Sequence, residues 1–304
     1  ERNNITVIIL INIKCLALNM YFKFKTFLYY IFNDRYWLIR KISAFLYKIF
    51  TERRLRNIFI KKELNILLKT NTEIQFNNEK VFDPVLNLTE KYNPEIIDLA
   101  RVYDMIDKNK PFTVLEFGVG YSTIVIAKAL YENKKKFNKK NIEKIRNSKM
   151  FKVFSVDASK KWIEETKKNL PNYLKEFVEF HHSEVEVKLI NNQVCHVYKS
   201  IPDINPEFIY LDGPHPLDPS GKVNNISFKC LERTPISADI IYLESTLLPG
   251  TKILVDGRVN NVRFLRNNLK RKYKYNWDRN GDITIITLIE KKLGKLNKLG
   301  FEFY

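Results

Sequence analysis

The chain has 304 residues, 45% of them hydrophobic, which favours a packed α/β domain with an additional segment and excludes an intrinsically disordered chain. Its formal net charge of +18 fits a polyanionic partner, such as nucleic acid, anionic lipid or an acidic glycan, and equally fits solvated lysines without a specific partner. Three widely separated cysteines (Cys15, Cys195 and Cys230) exclude a sequence-visible zinc site and fit a reducing compartment, so we expect a cytoplasmic location.

Residues 1–65 form a basic, aromatic-rich segment that we predict to be a helical extension. Thirteen Lys/Arg residues against four Asp/Glu residues give it a net charge of +9. Within residues 20–65, apolar side chains recur at helical spacing among basic ones. This pattern is typical of a helix that lies on an anionic membrane surface, and also of a cap packed on the main domain. Residue 1 is Glu, and Met20 is a candidate natural start.

The rest of the chain shows the alternation of an α/β fold. Residues 66–110 are predicted to be a linker and a leading helix, and residues 293–304 a C-terminal tail. Between them, residues 111–292 alternate strand-like and helix-like segments, which predicts a doubly wound, mostly parallel sheet of seven strands. Asn280-Gly281 predicts the antiparallel hairpin that ends this sheet. The parallel strands are expected near 112–117, 151–157, 178–182, 207–212 and 251–256, with a lysine-rich insertion at 131–151 and a small two-stranded excursion around Asn191-Asn192.

The first predicted strand ends in the glycine-rich run "LEFGVGYST". Glycine lets a backbone approach a ligand closely, and the helix that follows presents free N–H groups, so such a turn suits a nucleotide-containing cofactor. A dinucleotide fingerprint needs a third glycine, and Thr123 takes its place, which disfavours a pyrophosphate. Glu116 lies two residues before Gly118, and a carboxylate suits a ligand with an ammonium and a sulfonium better than a pyrophosphate.

The pattern Glu116-x-Gly118-x-Gly120-x-Ser122 resembles the first motif of class I S-adenosylmethionine-dependent methyltransferases, and the resemblance covers about residues 95–290. It implies a Rossmann-like domain with S-adenosylmethionine as cofactor. In that family the turn wraps the methionine part of the cofactor, and an acid after the second strand, here Asp157, meets the ribose hydroxyls. Asp157 also fits a helix N-cap. The cofactor-binding residues implied are Glu116, Gly118, Gly120, Tyr121, Ser122, Asp157, Ala158, Ser183 and Asp212.

Two later strands also end in acids, at the edge where parallel sheets bind their ligands. Asp212 stands in "LDGPHP" and Asp256 in "VDGRVNN". Methyl transfer to a hydroxyl benefits from a base, so we predict Asp212, His215 and Asp256 as catalytic residues, although His215 also fits a loop cap.

Some methyltransferases of this fold bind a divalent cation with an acid after the fourth strand and an acidic or amide pair after the fifth. Asp212 and Asp256 match that pattern, but Gly257 replaces the second member of the pair. A divalent metal is therefore not favoured; Asp212 and Asp256, with help from Asn260 or Asn261, would be its ligands.

The resemblance implies methylation of an oxygen on a small-molecule, glycan or lipid-linked acceptor. The long polar segment from Pro214 to Ser237 is expected to select that acceptor, and Arg258 to face either an anionic acceptor or solvent. Nucleic acid is disfavoured as an acceptor, because Asp-Gly-Pro-His replaces the Asn/Asp-Pro-Pro-aromatic turn of amino-methylating enzymes and no aromatic platform follows it. Two alternatives stay open: an NAD-dependent oxidoreductase of similar fold, and a non-catalytic binding protein with a relict cofactor pocket. The oligomeric state is not predicted.

Overall fold

The computed structural model describes residues 36–68, 95–230 and 233–304, together with Lys25. The chain divides into two compact units, Glu1–Arg54 and Leu55–Tyr304. In the first unit, helix α1 spans Trp37–Leu46 and continues as π-helical turns over Tyr47–Glu52. Within the described ranges, no helix combines the length and the apolar character that crossing a membrane requires. The predicted extension before residue 36 and most of the predicted linker lie outside the described residues.

The second unit alternates helices and strands as the sequence predicts. Its strands are β1 (Thr113–Phe117), β2 (Lys152–Asp157), β3 (Val178–His182), β4 (Val185–Ile190), β5 (Gln193–Tyr198), β6 (Phe208–Leu211), β7 (Lys252–Asp256), β8 (Tyr273–Asp278) and β9 (Ile283–Leu288). The helices after α1 are α2 (Arg53–Lys61), α3 (Leu64–Leu67), α4 (Ile96–Asn109), α5 (Tyr121–Lys136), α6 (Lys160–Asn169), α7 (Asp239–Leu243) and α8 (Val259–Asn268). Short 3₁₀ turns lie at Lys139–Lys144, Asn172–Phe177, Glu244–Thr246 and Gly300–Phe303.

Seven strands form one sheet in the order β3-β2-β1-β6-β7-β9-β8. The first five of these are parallel to one another, whereas β9 pairs antiparallel with both β7 and β8. The doubly wound, mostly parallel sheet that ends in an antiparallel hairpin is therefore confirmed. The chain order reverses between β1 and β6, and such a switch point is where open parallel sheets bind their ligands. Strands β4 and β5 form the predicted separate two-stranded excursion.

Both faces of the sheet are covered, which explains the nearly continuous apolar runs of its central strands. Because side chains alternate along a strand, Val114 and Phe208 enter one hydrophobic cluster, with α4 and α5. Leu115 and Ile209 enter the other, with the β4–β5 excursion, α7 and α8. The first cluster also contains Leu55, Phe59 and Leu64 of α2 and α3, all fully buried.

The predicted lysine-rich insertion begins within α5, and the part that follows this helix is fixed to the domain by an aromatic ring at each end. Phe137 and Phe151 are buried and pack edge-on against Phe112, with ring centroids 5.6 Å and 5.4 Å from it. The lysines between them whose side chains are described are exposed, as expected for a solvated excursion. The insertion therefore lengthens the connection from β1 to β2 without changing how these strands pair.

Candidate cofactor and acceptor site

The turns that follow β1 and β6 touch through two glycines. Gly118 has a φ of +109°, a conformation that side chains rarely adopt. The Gly213 N–H donates to the Phe117 carbonyl at 2.5 Å. A Cβ on Gly213 would lie 2.6 Å from the Gly118 nitrogen and 2.7 Å from its Cα, so this approach requires glycine. The contact joins the carboxyl ends of the two strands at the switch point.

Glu116 lies beneath the turn after β1 and is fully buried. Its carboxylate accepts hydrogen bonds from the hydroxyls of Ser122 and Thr123 on α5 and of Ser155 on β2, each at 2.6 Å. Burial raises the pKa of Glu116 to about 7, and the three hydroxyls oppose that rise. Glu116 therefore fixes the start of α5 against the sheet. Its contact with a cofactor amino group stays a prediction.

The start of α5 leaves room for a ligand. Gly120 caps the helix in an extended conformation, and no heavy atom lies within 4 Å of the position that its Cβ would take. Its N–H donates to Thr123 Oγ1 at 3.1 Å. The N-terminus of a helix of 16 residues carries a partial positive charge, which suits a carboxylate. Tyr121, by contrast, packs against the hydrophobic cluster on the α4–α5 face.

Asp157 joins the end of β2 to the same turn. One carboxylate oxygen accepts the Val119 N–H at 2.9 Å, and the other accepts the Ser159 N–H at 2.6 Å. Burial raises the pKa of Asp157 to about 6, and the nearby Asp218 adds to the rise. Because each carboxylate oxygen can accept two hydrogen bonds, Asp157 keeps capacity for hydroxyl donors. Its role with ribose stays a prediction.

Ala158 and Ser183 connect the site to β3 and the β4–β5 excursion. The Ala158 carbonyl lies 3.1 Å from His182 Nε2. Ser183 is buried; its N–H donates to the Asp157 carbonyl at 3.0 Å, and its hydroxyl oxygen accepts the Ser200 N–H at 2.9 Å. The Ser183 hydroxyl thus fixes the chain just after β5, beside the edge where the cofactor is predicted to bind.

Three carboxylates from different elements lie close together at this end of the sheet. Asp212 follows β6, Asp256 ends β7, and Asp98 lies in the first turn of α4. Burial raises the pKa values of Asp98 and Asp256 to about 7, and repulsion among the three acids adds to the effect on Asp256. Asp212 reaches solvent, yet the protein around it removes enough hydration to raise its pKa as well, with Asp98 adding to the rise. Burial thus raises the pKa of all three carboxyls, and neighbouring acids add to the rise for Asp212 and Asp256.

Two neighbouring groups hold this cluster in place. The Tyr210 hydroxyl, on a buried side chain of β6, donates to Asp256 at 2.8 Å. The Arg101 guanidinium, also buried, forms an ion pair with Asp98 one helical turn away. Both interactions favour the ionised acids and limit the rise of their pKa values.

The segment after β6 is fixed at both of its ends by the start of α8. The Arg258 guanidinium donates to the carbonyls of Asp212 and of Pro214, the latter at 2.9 Å. The buried Asn261 side chain accepts the Ser237 N–H at 2.8 Å and donates to the Ser237 carbonyl at 2.9 Å. Arg258 thus anchors the predicted acceptor-selecting segment.

His215 takes part in a turn of its own segment. Its N–H donates to an Asp218 carboxylate oxygen at 2.9 Å, and its Nδ1 accepts the Leu217 N–H at 3.3 Å. A neutral ring that accepts at Nδ1 carries its proton on Nε2. This geometry suits the loop cap that was one of the two interpretations; a catalytic role for His215 stays a prediction.

A divalent cation at Asp212 and Asp256 would need further ligands from neighbouring side chains. Asn261 uses its amide on Ser237, so it does not complete a cation site with the two acids. Among the residues that the structure describes, no group of three or more His, Cys, Asp or Glu side chains is arranged to hold a metal ion.

A cavity and a buried histidine lie outside the cluster of acids. A cavity of about 440 Å³ opens at the opposite end of the strands, beside Thr113 and Glu207, whereas parallel sheets bind ligands at their carboxyl ends. His196 on β5 is fully buried against Phe228, and neither ring nitrogen has a hydrogen-bond partner among the described residues. Burial lowers the pKa of His196 to about 3, which keeps its ring neutral.

Sequence reasoning missed several residues of the site, and three of them show why. Asp98 is one of several acids along α4, and nothing in its spacing marks it. Tyr210 lies inside a strand that resembles any other buried strand. Gly213, directly after the acid at the end of a strand, carried a usable signal, because a glycine there indicates a close approach of another backbone.

No protein-family model and no curated protein matches the chain. The search of solved structures gives similar chains of low identity. One is the O-methyltransferase TomG from Streptomyces achromogenes in complex with SAM, with 12% identity over 75% of this chain and 89% of that one, and a TM-score of 0.36. Another is an O-methyltransferase from Bacillus cereus in complex with SAH, with 14% identity, 82% and 97% coverage and a TM-score of 0.37. A third is the SAH-bound methyltransferase PaMTH1 from Podospora anserina, with 14% identity, 72% and 93% coverage and a TM-score of 0.40. The order and directions of the strands described above give this chain the Rossmann-like fold of class I methyltransferases.

Proposed function

We propose that the chain is an S-adenosylmethionine-dependent methyltransferase that methylates an oxygen of a small-molecule, glycan or lipid-linked acceptor. The observation that carries the proposal is the accumulation of acids at the switch point. Asp98, Asp157, Asp212 and Asp256 have pKa values raised mainly by burial, and two cations, Arg101 and Arg258, offset the four acids, so the group as a whole is short of positive charge. A cationic ligand relieves that shortage, whereas a pyrophosphate adds to the repulsion.

The residues present fit this cofactor. The open start of α5 at Gly120 suits the carboxylate of its methionine part, and Asp157 has acceptor capacity for ribose hydroxyls. The acids at the ends of β6 and β7 suit its positive charge. When bound, S-adenosylmethionine supplies a methyl group activated by the sulfonium.

Asp256 is the proposed base for the acceptor hydroxyl. With a pKa of about 7, it is both partly ionised at neutral pH and basic enough to take a proton. Tyr210 orients one of its carboxylate oxygens, and the nearby Asp98 and Asp212 help to keep its proton affinity high. The segment from Pro214 to Ser237 follows β6 and is the proposed acceptor-selecting element, which positions the hydroxyl for in-line attack.

A nicotinamide-dependent oxidoreductase is less well supported. Thr123, at the place of the third glycine of a dinucleotide fingerprint, is fully buried, and its hydroxyl donates to Glu116. The close helix–strand packing that this glycine allows in dinucleotide-binding proteins is thus replaced by a hydrogen bond. A binding protein with a relict pocket differs from the proposed enzyme by the absence of turnover.

Calorimetric titration of the purified chain with S-adenosylmethionine, S-adenosylhomocysteine and NAD tests the proposal. We expect the first two to bind and NAD not to bind. Asp157→Asn should lower the affinity at least about tenfold, because one charge-assisted hydrogen bond to ribose is weakened. Asp203→Asn, at an exposed acid beside the cavity at the opposite end of the strands, is the matched control, and thermal melting checks that both variants fold.

Turnover is measured by transfer of label from methyl-tritiated S-adenosylmethionine to a panel of hydroxyl acceptors. Binding of NAD in preference to S-adenosylmethionine would overturn the proposal. Tight cofactor binding without transfer to any acceptor, glycans and lipid-linked alcohols included, would favour the binding protein.

A further inference from the structure

Residues 36–54 carry a continuous apolar face that is open to solvent. Seven apolar side chains share one side of α1 and its π-helical continuation, at spacings of three and four residues: Leu38, Ile39, Ile42, Phe45, Leu46, Ile49 and Phe50. Their exposed fractions run from 39% for Ile49 to 68% for Phe50. Single exposed apolar residues are ordinary on a protein surface, but a contiguous apolar face marks a surface that contacts something else.

The same residues are strongly basic. Lysine and arginine outnumber acids by five to one in this range: Arg40, Lys41, Lys48, Arg53 and Arg54 against Glu52. Lys41 and Lys48 are exposed, as are Arg53 and Arg54. Exposed aromatic and aliphatic side chains on one face, with basic side chains around them, are typical of helices that lie in the plane of a membrane surface.

We propose that α1 and its π-helical continuation bind the surface of a lipid bilayer that contains anionic lipids. The apolar face enters the boundary between headgroups and acyl chains, and the basic side chains meet the headgroups. This inference does not depend on the proposed methyl transfer.

The combination of positive charge and an apolar face favours an anionic bilayer over a second copy of the helix or nucleic acid. A second copy of the helix would cover the apolar face but would bring two segments of net charge +4 together. Nucleic acid would neutralise the charge but would leave Phe45 and Phe50 in water. An anionic bilayer satisfies both features at once, because it offers negative headgroups directly above an apolar layer.

Co-sedimentation of the full chain with vesicles tests the inference. One set of vesicles is phosphatidylcholine alone, and the other contains phosphatidylglycerol as well. The chain should bind the anionic vesicles, and added salt should weaken the binding. Phe45→Ser with Phe50→Ser should lower the partition coefficient at least about 30-fold, because two exposed rings no longer leave water. Lys41→Gln with Lys48→Gln should lower it by about 30-fold on anionic vesicles and leave the weak binding to neutral vesicles unchanged.

Matched controls change exposed apolar side chains and lysines elsewhere in the chain. Leu189→Ser with Leu293→Ser removes two exposed apolar side chains from the second unit, and Lys167→Gln with Lys168→Gln removes two lysines from α6. Both controls should bind vesicles like the unmodified chain, and circular dichroism with thermal melting checks that every variant is folded.

Three results would overturn the inference. They are the absence of binding to anionic vesicles, equal binding to both kinds of vesicle, and helix variants that bind as the controls do. A second copy of the chain would give a different result: sedimentation velocity without lipid would show a dimer, which Phe45→Ser with Phe50→Ser would dissociate. That outcome, without vesicle binding, would assign the apolar face to self-association instead.

Discussion

Replacement of Gly213 by alanine tests the contact between the turns after β1 and β6. The new Cβ would lie 2.6 Å from the Gly118 nitrogen, 2.7 Å from its Cα and 2.9 Å from the carbonyl carbon of Phe117. Ordinary contacts between carbon atoms lie at about 3.5–4.0 Å, so the two backbone segments would have to separate by about 1 Å. Overpacking usually costs about 1–3 kcal/mol, and we expect about 3 kcal/mol because all the opposing atoms are backbone. In a domain of this size that loss lowers the melting temperature by about 6–12 °C.

Gly120→Ala is the matched control, because its Cβ would meet no heavy atom within 4 Å. The backbone there is already extended, so we expect a loss of about 1 kcal/mol or less, from a weaker helix N-cap. If the cofactor carboxylate occupies this space, Gly120→Ala lowers the affinity for S-adenosylmethionine at least about tenfold while the melting temperature stays nearly unchanged. Thermal unfolding and calorimetry measure the two effects. A Gly213→Ala chain as stable as the parent would refute the packing argument, and a Gly120→Ala chain with unchanged affinity would refute the placement of the cofactor.

Three other substitutions separate electrostatic contributions. Glu116 has a pKa of about 7 when folded and 4.5 when unfolded, so it binds protons more tightly in the folded state and lowers stability as pH rises through that window. The difference in unfolding free energy between Glu116→Gln and the parent should therefore shift by about 2–3 kcal/mol in favour of the variant from pH 5 to pH 8. Curves of unfolding free energy against pH that run parallel for the two chains would contradict this. His196 shows the opposite sign, because its pKa falls from 6.5 to about 3 on folding and stability is lost as pH decreases from about 6.5. In urea unfolding, the unfolding free energy of His196→Leu relative to the parent should be about 3 kcal/mol higher at pH 4 than at pH 7. The same difference at both pH values would show that the imidazole becomes protonated without unfolding. Tyr210→Phe removes a hydrogen bond that lowers the pKa of Asp256, so the acidic limb of the pH–rate profile for methyl transfer should move to higher pH; an unmoved limb would exclude Asp256 as the base.

The sheet was predictable because its central strands are buried on both faces. A run such as "TVLEF" needs apolar residues at nearly every position, and the turn residues after it mark its end. The closing hairpin was predictable for a local reason, since Asn280-Gly281 favours a tight turn and Asp282 adopts a positive φ there. The insertion after α5 was less predictable. Its lysines indicate a solvated excursion, but the burial of Phe137 and Phe151 against Phe112 depends on tertiary packing.

The site was predictable where residues follow strands and not where they lie on helices. Asp157, Asp212 and Asp256 could be placed together because the carboxyl ends of parallel strands share one edge of the sheet. The position of Asp98 depends on the rotation of α4 about its own axis, which is set by the buried side chains on its other face. Ser155 illustrates a second limit, since its hydrogen bond to Glu116 joins neighbouring strands that are 39 residues apart in the chain.

The anchoring of one long segment by a single helix start has an evolutionary consequence. Arg258 holds the beginning of the segment that runs from Pro214 to Ser237, and Asn261 holds its end. Because both anchors belong to the same rigid turn of α8, the interior of the segment can change in length and sequence while its two ends keep their places. If the segment selects the acceptor, as we propose, it is an exchangeable cassette through which new acceptors are gained while the rest of the domain is kept.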